Sequence, residues 1–335
     1  MNWTRLFTLF VIFAFAGTAI SEEISTKEPR WKQLSQAYGF VLAQQASLEL
    51  IEKKFPDLAK DVKDAWFAFN STALGESVKG VEKELSRELG DKWPEYQKEM
   101  TTQMDSLIGE QEVTRQQSVA FLKEVRQRSK GEMPESILAA LLSAHSRFSK
   151  NPGLELTSGW KQTFRTKGHP KAKGVDFSIS FPASWSKREG YRPNIIQFFQ
   201  SCAGHGPIMC SLMVKTLPLP AGYKPTKGEL KEFFQPNELK GMIPDGSIFI
   251  GAKEIALEGL PGGILICDQN QKRLDQELTM RMTQFLTIYE SSIIFIQFMV
   301  TKMPDSTDTL DDLQKQFLPT FKVVANTLVL NDRYK

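Results

Sequence analysis

The sequence is poor in the residues that most often perform catalysis or hold metals. It has three histidines and three cysteines among 335 residues. It contains no serine-nucleophile elbow, zinc-binding histidine pair on a helix, phosphate loop or dinucleotide fingerprint. Charge bias is also small, because 42 basic residues oppose 39 acidic ones and leave a formal net charge of +3. We therefore predict no cofactor and no nucleic-acid partner, and we favour a non-catalytic protein over an enzyme.

Long apolar runs are absent except at the N-terminus. Arg5 precedes an apolar run over residues 6–16, and small residues follow it, which is the pattern of a cleavable signal peptide over residues 1–21. An uncleaved anchor is the alternative, but about eleven apolar residues are fewer than the ~20 that span a bilayer. The mature chain is predicted to begin at Ile20 or Glu22. It is then exported, to the periplasm or beyond the cell, with no stable membrane insertion.

The mature N-terminal half, residues 22–152, has the periodicity of amphipathic helices. Apolar residues recur at intervals of three, four and seven, and the first stripe begins at Leu34 and stops at Pro56. Thr114-Arg115-Gln116-Gln117 has the capping-box pattern that begins a later helix, and Asn151-Pro152-Gly153 breaks the last one. We predict a helical bundle or an elongated hairpin. Separate helices on a membrane surface are the alternative, which the mixed charges of the polar faces disfavour.

The C-terminal half, residues 157–335, changes to the alternation of strands. One apolar face is shared by Val175, Phe177, Ile179 and Phe181. Further strand-like runs lie at 195–200, 210–216, 247–257, 263–267, 278–289 and 293–301, with helical patterns at 227–235 and 309–327. The short link Glu290-Ser291-Ser292 predicts a hairpin, and its second strand is apolar on both faces and therefore central. The predicted fold class is α+β, with helices followed by an antiparallel sheet domain.

The run from Phe177 to Trp185 reads strand, then Pro, two residues and Trp. It resembles the opening of the PsbP-like fold, which photosystem accessory proteins, the Ran-binding Mog proteins and several bacterial exported families share. The following order of strands, helix, long hairpins and closing helix is similar, so the resemblance covers about half of the chain. The whole chain, including residues 162–170 and 317–335, also resembles uncharacterised bacterial exported proteins. The resemblance implies a PsbP-like domain, but no activity and no functional residue.

The cysteines all lie in the C-terminal half. Cys202 and Cys210 flank a segment with two glycines and a proline, so an oxidising compartment predicts a disulfide between them. The alternative is a strand offset that separates the two thiols. A zinc site at Cys202, His205 and Cys210 has only three local ligands, and we predict no metal. Cys267 lies in an apolar run and is predicted to be a buried thiol.

Two surface patches are candidates for binding. The first is the basic stretch of Arg165, Lys167, His169, Lys171 and Lys173, which suits an anionic ligand or partner, with a solvated loop as the alternative. The second is the group Trp185, Tyr191 and Arg192, since aromatic and arginine side chains dominate interface energetics. A core position is the alternative for Trp185. His145, on an apolar helix face, is predicted to be a hydrogen-bonded structural residue.

These features favour a non-catalytic binding or scaffold protein of the bacterial envelope, with a protein as its partner. The alternatives are an enzyme without a recognisable motif and a chaperone for apolar segments of exported proteins. Polar side chains that converge at a pocket mouth would favour the enzyme. An open apolar groove would favour the chaperone.

Overall fold

A computed structural model describes residues 29–219, 223, 225–273, 276–302 and 307–334. The predicted signal peptide over residues 1–21 lies outside these described residues. Within them, no helix combines the length and the apolar character that crossing a bilayer would require.

The N-terminal half is a helical bundle, as predicted. Its helices are α1 (Arg30–Lys54), α2 (Ala59–Asn70), α3 (Ala73–Leu89), α4 (Trp93–Gly109), α5 (Arg115–Arg128) and α6 (Glu135–Ala144). The predicted capping box of α5 is present, because Thr114 and Gln117 exchange side-chain and backbone hydrogen bonds. Helix α1 packs against α3, α4 and α6, so the apolar stripes meet in one core.

The C-terminal half is built from antiparallel strands, which confirms the α+β class. The strands are β1 (Lys161–Arg165), β2 (Phe177–Pro182), β3 (Ser186–Glu189), β4 (Ile195–Gln200), β5 (Ile208–Thr216), β6 (Ile248–Leu257), β7 (Leu260–Arg273), β8 (Gln276–Tyr289), β9 (Ser292–Thr301) and β10 (Val329–Leu330). They form a three-stranded sheet, β1-β2-β10, and a seven-stranded sheet, β3-β4-β5-β9-β8-β7-β6. The predicted hairpin joins β8 to β9, with Tyr289 opposite Ser292.

The remaining helices pack against the two sheets and against each other. They are α7 (Pro152–Thr157), α8 (Lys227–Phe233), α9 (Pro236–Lys240) and α10 (Leu310–Ala325). Helix α10 packs over β8, β9 and β2, where the Phe298 and Phe321 rings stack with centroids 4.3 Å apart. Helices α8 and α9 cover the opposite face, against Ile293 and Phe295. Strand β9 is therefore buried on both faces, as its apolar sequence predicted.

The two halves meet at a polar junction. Arg30, at the start of α1, donates hydrogen bonds to Glu84 at 2.9 Å and to Ser143 at 2.9 Å, and it reaches the Cys202 carbonyl at 3.4 Å. Helix α7 links the cores, since Leu154 packs against the helical core and Leu156 lies in the sheet core. Independent folding of residues 157–335 stays a prediction.

Candidate binding groove

An open groove lies where α10 leaves the face of the seven-stranded sheet uncovered. Because α10 crosses β8, β9 and β2, the outer strands β6 and β7 have no helix above them on this face. The groove has a volume of about 470 Å³, which is within the range of small-molecule sites. It is lined mainly by Gly251, Lys253, Ile255 and Leu257 of β6, Ile264 and Ile266 of β7, Phe285 of β8, Leu318 and Lys322 of α10, and Asn326 directly after α10.

The floor of the groove is apolar because the strands alternate. In β6 the side chains of Lys253, Ile255 and Leu257 alternate on the groove side, whereas Ala252 packs against the core on the other face of the sheet. Ile255, Ile266 and Leu318 are only half-buried, so they keep apolar surface toward solvent. The floor can therefore gain burial from an apolar ligand.

Strand β6 also forms one edge of the sheet. It pairs with β7 on one side, and no other described strand lies on its outer side. The ladder shifts register between Phe249 and Gly251, which leaves Ile250 as the extra residue of a bulge. Ile248 is 59% exposed and Ile250 is 46% exposed. A long edge with two exposed isoleucines is a surface that can accept another strand.

A tight turn between β6 and β7 lies at one end of the groove and holds the end of the edge strand in place. Glu258 and Gly259 connect β6 to β7, and both have positive φ angles, of 51° and 72°. The C-terminal segment holds the turn, because Arg333 donates to the Glu258 carbonyl and the Tyr334 hydroxyl donates to the Glu258 carboxylate at 2.7 Å. These contacts tie the edge to the rest of the domain.

Lysines surround the edge strand on both sides. Lys253 and Lys322 line the groove, and Lys227 and Lys231 line a smaller depression of about 360 Å³ beside Ala256. None of these four lysines forms an ion pair with another residue that the structure describes. The only acidic side chain that lines either depression is Glu254. The groove therefore presents positive charge around an apolar floor.

The basic stretch predicted from the sequence is partly neutralised. Arg165 makes a bidentate pair with Asp176, at 3.0 and 2.7 Å, and Lys171 pairs with Glu189 at 3.0 Å. The ring nitrogen of His169 accepts a hydrogen bond from the Lys171 backbone at 3.2 Å. Exposed Lys167 and Lys173 complete the stretch. Anion binding there stays a prediction, with less free charge than the sequence suggested.

The aromatic candidates separate into core and surface. Trp185 is 2% exposed and packs near Phe181, with ring centroids 5.9 Å apart, so it occupies the core position that was the alternative to a surface contact. The apolar indole is buried because it follows β2 at the end of the main core. Tyr191 is 85% exposed and Arg192 is exposed. The Lys171–Glu189 pair brings these two residues close to the basic stretch.

The predicted disulfide is not formed in this structure, in which all three cysteines are free. The β4–β5 register places Cys210 opposite Phe199, and Cys202 lies three residues beyond Phe199. Cys202 lies in the turn after β4, whereas Cys210 lies within β5, so the two cysteines are not a cross-strand pair. Cys267 is buried, as predicted. Burial raises the pKa of both Cys202 and Cys210, which disfavours a reactive thiolate.

A buried carboxyl group lies near the junction of the two halves. Glu155 of α7 accepts hydrogen bonds from the Ser184 backbone nitrogen and the Ser184 hydroxyl, each at 2.6 Å. Burial raises the pKa of Glu155 to about 7, although both bonds favour the charged form. The Glu155 carboxyl group holds the turn between β2 and β3. Glu155 is buried, so a substrate has no access to it in this structure.

The histidines add no metal centre within the described residues. His145 is buried, forms a 2.9 Å contact with Glu76 and stacks on Phe148, as expected of a structural histidine. No group of three or more histidine, cysteine or acidic side chains in the described part of the chain is placed to hold a metal ion.

Comparisons with known proteins indicate no function. No family model matches the chain, and no curated protein matches it. Among solved structures, a crystal structure of a protein from Bacteroides thetaiotaomicron is similar over 46% of this chain and 44% of that chain, at 13% identity and a TM-score of 0.28. So low a score carries no argument about the fold or the function of this protein.

The groove was not predicted from the sequence. The strand over residues 247–257 was predicted, but its position at the edge was not. One signal was available, because Ile248, Phe249 and Ile250 are three consecutive apolar residues, whereas a strand with one buried face alternates.

Proposed function

We propose that this chain is a non-catalytic binding protein, exported to the bacterial envelope, that holds a segment of a partner protein in the groove beside β6. The observation that carries the proposal is the open apolar floor next to an unpaired edge strand with exposed Ile248 and Ile250. Such a surface gains free energy when a partner covers it. Export rests on the predicted signal peptide, and the resemblance to a PsbP-like domain is part of the same proposal.

The groove supports binding over catalysis because its polar groups do not converge. Lys253 and Lys322 lie on opposite walls, one on β6 and one on α10, and neither has a carboxylate or histidine beside it in the groove lining. General acid–base or nucleophilic chemistry requires such a neighbour within hydrogen-bond reach. The apolar floor instead suits the side chains of a bound segment.

A chaperone is the second candidate, and the open apolar groove is the observation that favours it. A chaperone would accept many unrelated apolar segments, whereas a scaffold protein would hold one partner. The two are distinguished by the number of different proteins that occupy the groove.

Site-specific photocrosslinking in the native envelope tests the proposal. A photoreactive phenylalanine analogue at position 250 should crosslink a partner protein, which mass spectrometry identifies. The matched control carries the same analogue at Phe67, which is 72% exposed but lies on α2 of the helical bundle. The same protein should be captured at position 250, not at position 67, and lost when Ile255→Ser disrupts the floor. Equal capture at both positions would contradict the proposal.

A further inference from the structure

The backbone of β6 has hydrogen-bonding groups that face outward. A two-residue turn makes Leu257 and Leu260 a hydrogen-bonded pair, and bonded and non-bonded pairs then alternate along the hairpin. Ala256 is therefore in a non-bonded pair with Pro261, whose carbonyl accepts instead from Thr287 at 2.9 Å. The N–H and C=O groups of Ala252, Glu254 and Ala256 turn away from β7, toward the open edge.

Besides the charged Lys253 and Glu254, this edge carries small and apolar residues. Ala252 and Ala256 offer little steric obstruction to an approaching backbone, and Gly251 has open space where a side chain would start. The face on the groove side offers Ile255 as an apolar contact. An added strand would place every second side chain over the groove floor and the others over the opposite face.

The lysines on both sides of the edge favour particular side chains in an added strand. Lys253 and Lys322 lie on the groove side of the edge, and Lys227 and Lys231 line the depression on its other side. A strand between these two pairs of cations is favoured by acidic side chains and disfavoured by basic ones. A second copy of this chain fits poorly, because pairing of two β6 edges would bring equivalent lysines together.

We propose that the groove binds an extended acidic and apolar peptide segment of a partner protein, which pairs with β6 as an additional strand. Main-chain hydrogen bonds to Ala252, Glu254 and Ala256 supply affinity, the groove floor takes apolar side chains, and the lysines take acidic ones. This inference rests on the proposed function and adds the chemical class of the bound segment.

The test uses the mature full chain and two labelled peptides of about ten residues, the length of a long strand. One alternates valine with glutamate and the other alternates valine with lysine. Fluorescence anisotropy should show that the glutamate peptide binds at least about tenfold more tightly than the lysine peptide. The double variant Lys253→Glu with Lys322→Glu should lower the affinity for the glutamate peptide by about tenfold, whereas Lys123→Glu on α5 should leave that affinity unchanged.

The strand pairing is tested separately from the charge. Ala256→Pro removes one outward N–H without removing a β6–β7 hydrogen bond, so the domain should stay folded. Ala256→Pro should lower the affinity for the glutamate peptide by about tenfold. The matched variant Ala256→Ser keeps the N–H and should bind that peptide with an affinity within about twofold of the parent chain. Circular dichroism checks that both variants are folded, and if Ala256→Pro is not, Glu254→Pro replaces it.

Several results would overturn the inference. Equal binding of the two peptides would exclude charge selection, and full binding by a folded Ala256→Pro variant would exclude strand addition. Binding of palmitate in place of either peptide would identify a lipid site, and dimerisation abolished by Ala256→Pro would identify a second copy as the occupant. If crosslinking at position 250 still captures a partner while the glutamate peptide does not bind, the inference fails and the proposed function stands.

Discussion

The two edges of the seven-stranded sheet are built very differently. Strand β3 has four residues, carries Lys187, Arg188 and Glu189, and is held to the helical bundle by the 3.1 Å pair between Lys187 and Glu135. Strand β6 has ten residues, two exposed isoleucines and an open groove beside it. Short, charged and covered edges resist pairing with other chains, whereas long apolar edges invite it. The contrast supports the proposal that a partner segment binds at the β6 edge.

The core beneath the β3 edge should also be the more sensitive to mutation. Phe199→Ala, which removes a buried ring stacked on Phe181 at 3.7 Å, should lower the free energy of unfolding by about 3–5 kcal/mol. Ile255→Ala in the half-buried groove floor should cost about 1 kcal/mol, because less apolar area is lost. Urea unfolding measures both. Equal losses would show that the groove is part of the packed core and would remove the contrast between the edges.

The buried Glu155 next to the β3 edge predicts a pH dependence. Its pKa rises from the ordinary 4.5 to about 7 on folding, so the folded state holds the proton more tightly than the unfolded chain. The free energy of unfolding should therefore fall as the pH rises between these two values, by about 3 kcal/mol. Glu155→Gln should lack this decrease.

Urea unfolding of both forms from about pH 4 to about pH 8 measures the difference. Parallel profiles would mean that Glu155 ionises in the folded state at no cost. The same experiment on a chain with Ile255→Ser is the control, since a change in the distant groove should leave the pH dependence of Glu155 unaltered.

Arg188 should contribute modestly to closing the β3 edge. Its guanidinium lies 4.4 Å from the centre of the Phe198 ring and 5.2 Å from that of Tyr191. Arg188→Ala should reduce the free energy of unfolding by about 0.5–1 kcal/mol, the usual contribution of an exposed cation–π contact. Arg192→Ala is the matched control, on an exposed residue of the adjoining loop, and should change stability by less than about 0.5 kcal/mol. Similar losses of stability from both variants would contradict a role for Arg188 in closing the β3 edge.

The smallest effect on stability is expected at the β6 edge itself. Ile250→Lys should change the free energy of unfolding by less than about 0.5 kcal/mol, because the side chain already faces solvent at the bulge. Ile250→Ser, which removes the same apolar surface without adding a positive charge, should weaken binding of the valine–glutamate peptide. Phe67→Lys on the bundle should alter neither property. A large loss of stability from Ile250→Lys would show that this residue supports the fold instead of a partner.

Local patterns predicted much of the fold correctly. The alternation from Val175 to Phe181 identified the buried face of β2, and all four apolar side chains are in the core. The pattern Thr114 to Gln117 located the start of α5, and the apolar run of β9 identified a central strand. Residues within one turn or one strand determine these features, so a short window of sequence contains the necessary information.

The candidate sites depended on contacts between distant parts of the chain. The sequence identified Arg165 and Lys171 as basic, but tertiary packing paired them with Asp176 and Glu189. Cys202 and Cys210 are close in sequence, and the β4–β5 register separates them.

By itself, the sequence determined the α+β class, the capping box of α5, the inward face of β2 and the burial of β9 on both faces, because period and capping act locally. Only the tertiary structure decided that β6 is an edge and that α10 stops short of it. Strand order and helix placement arise from the packing of the whole domain, and no local period records which strand a helix will cover. The groove exists because one helix covers the middle of a sheet that is wider than the helix.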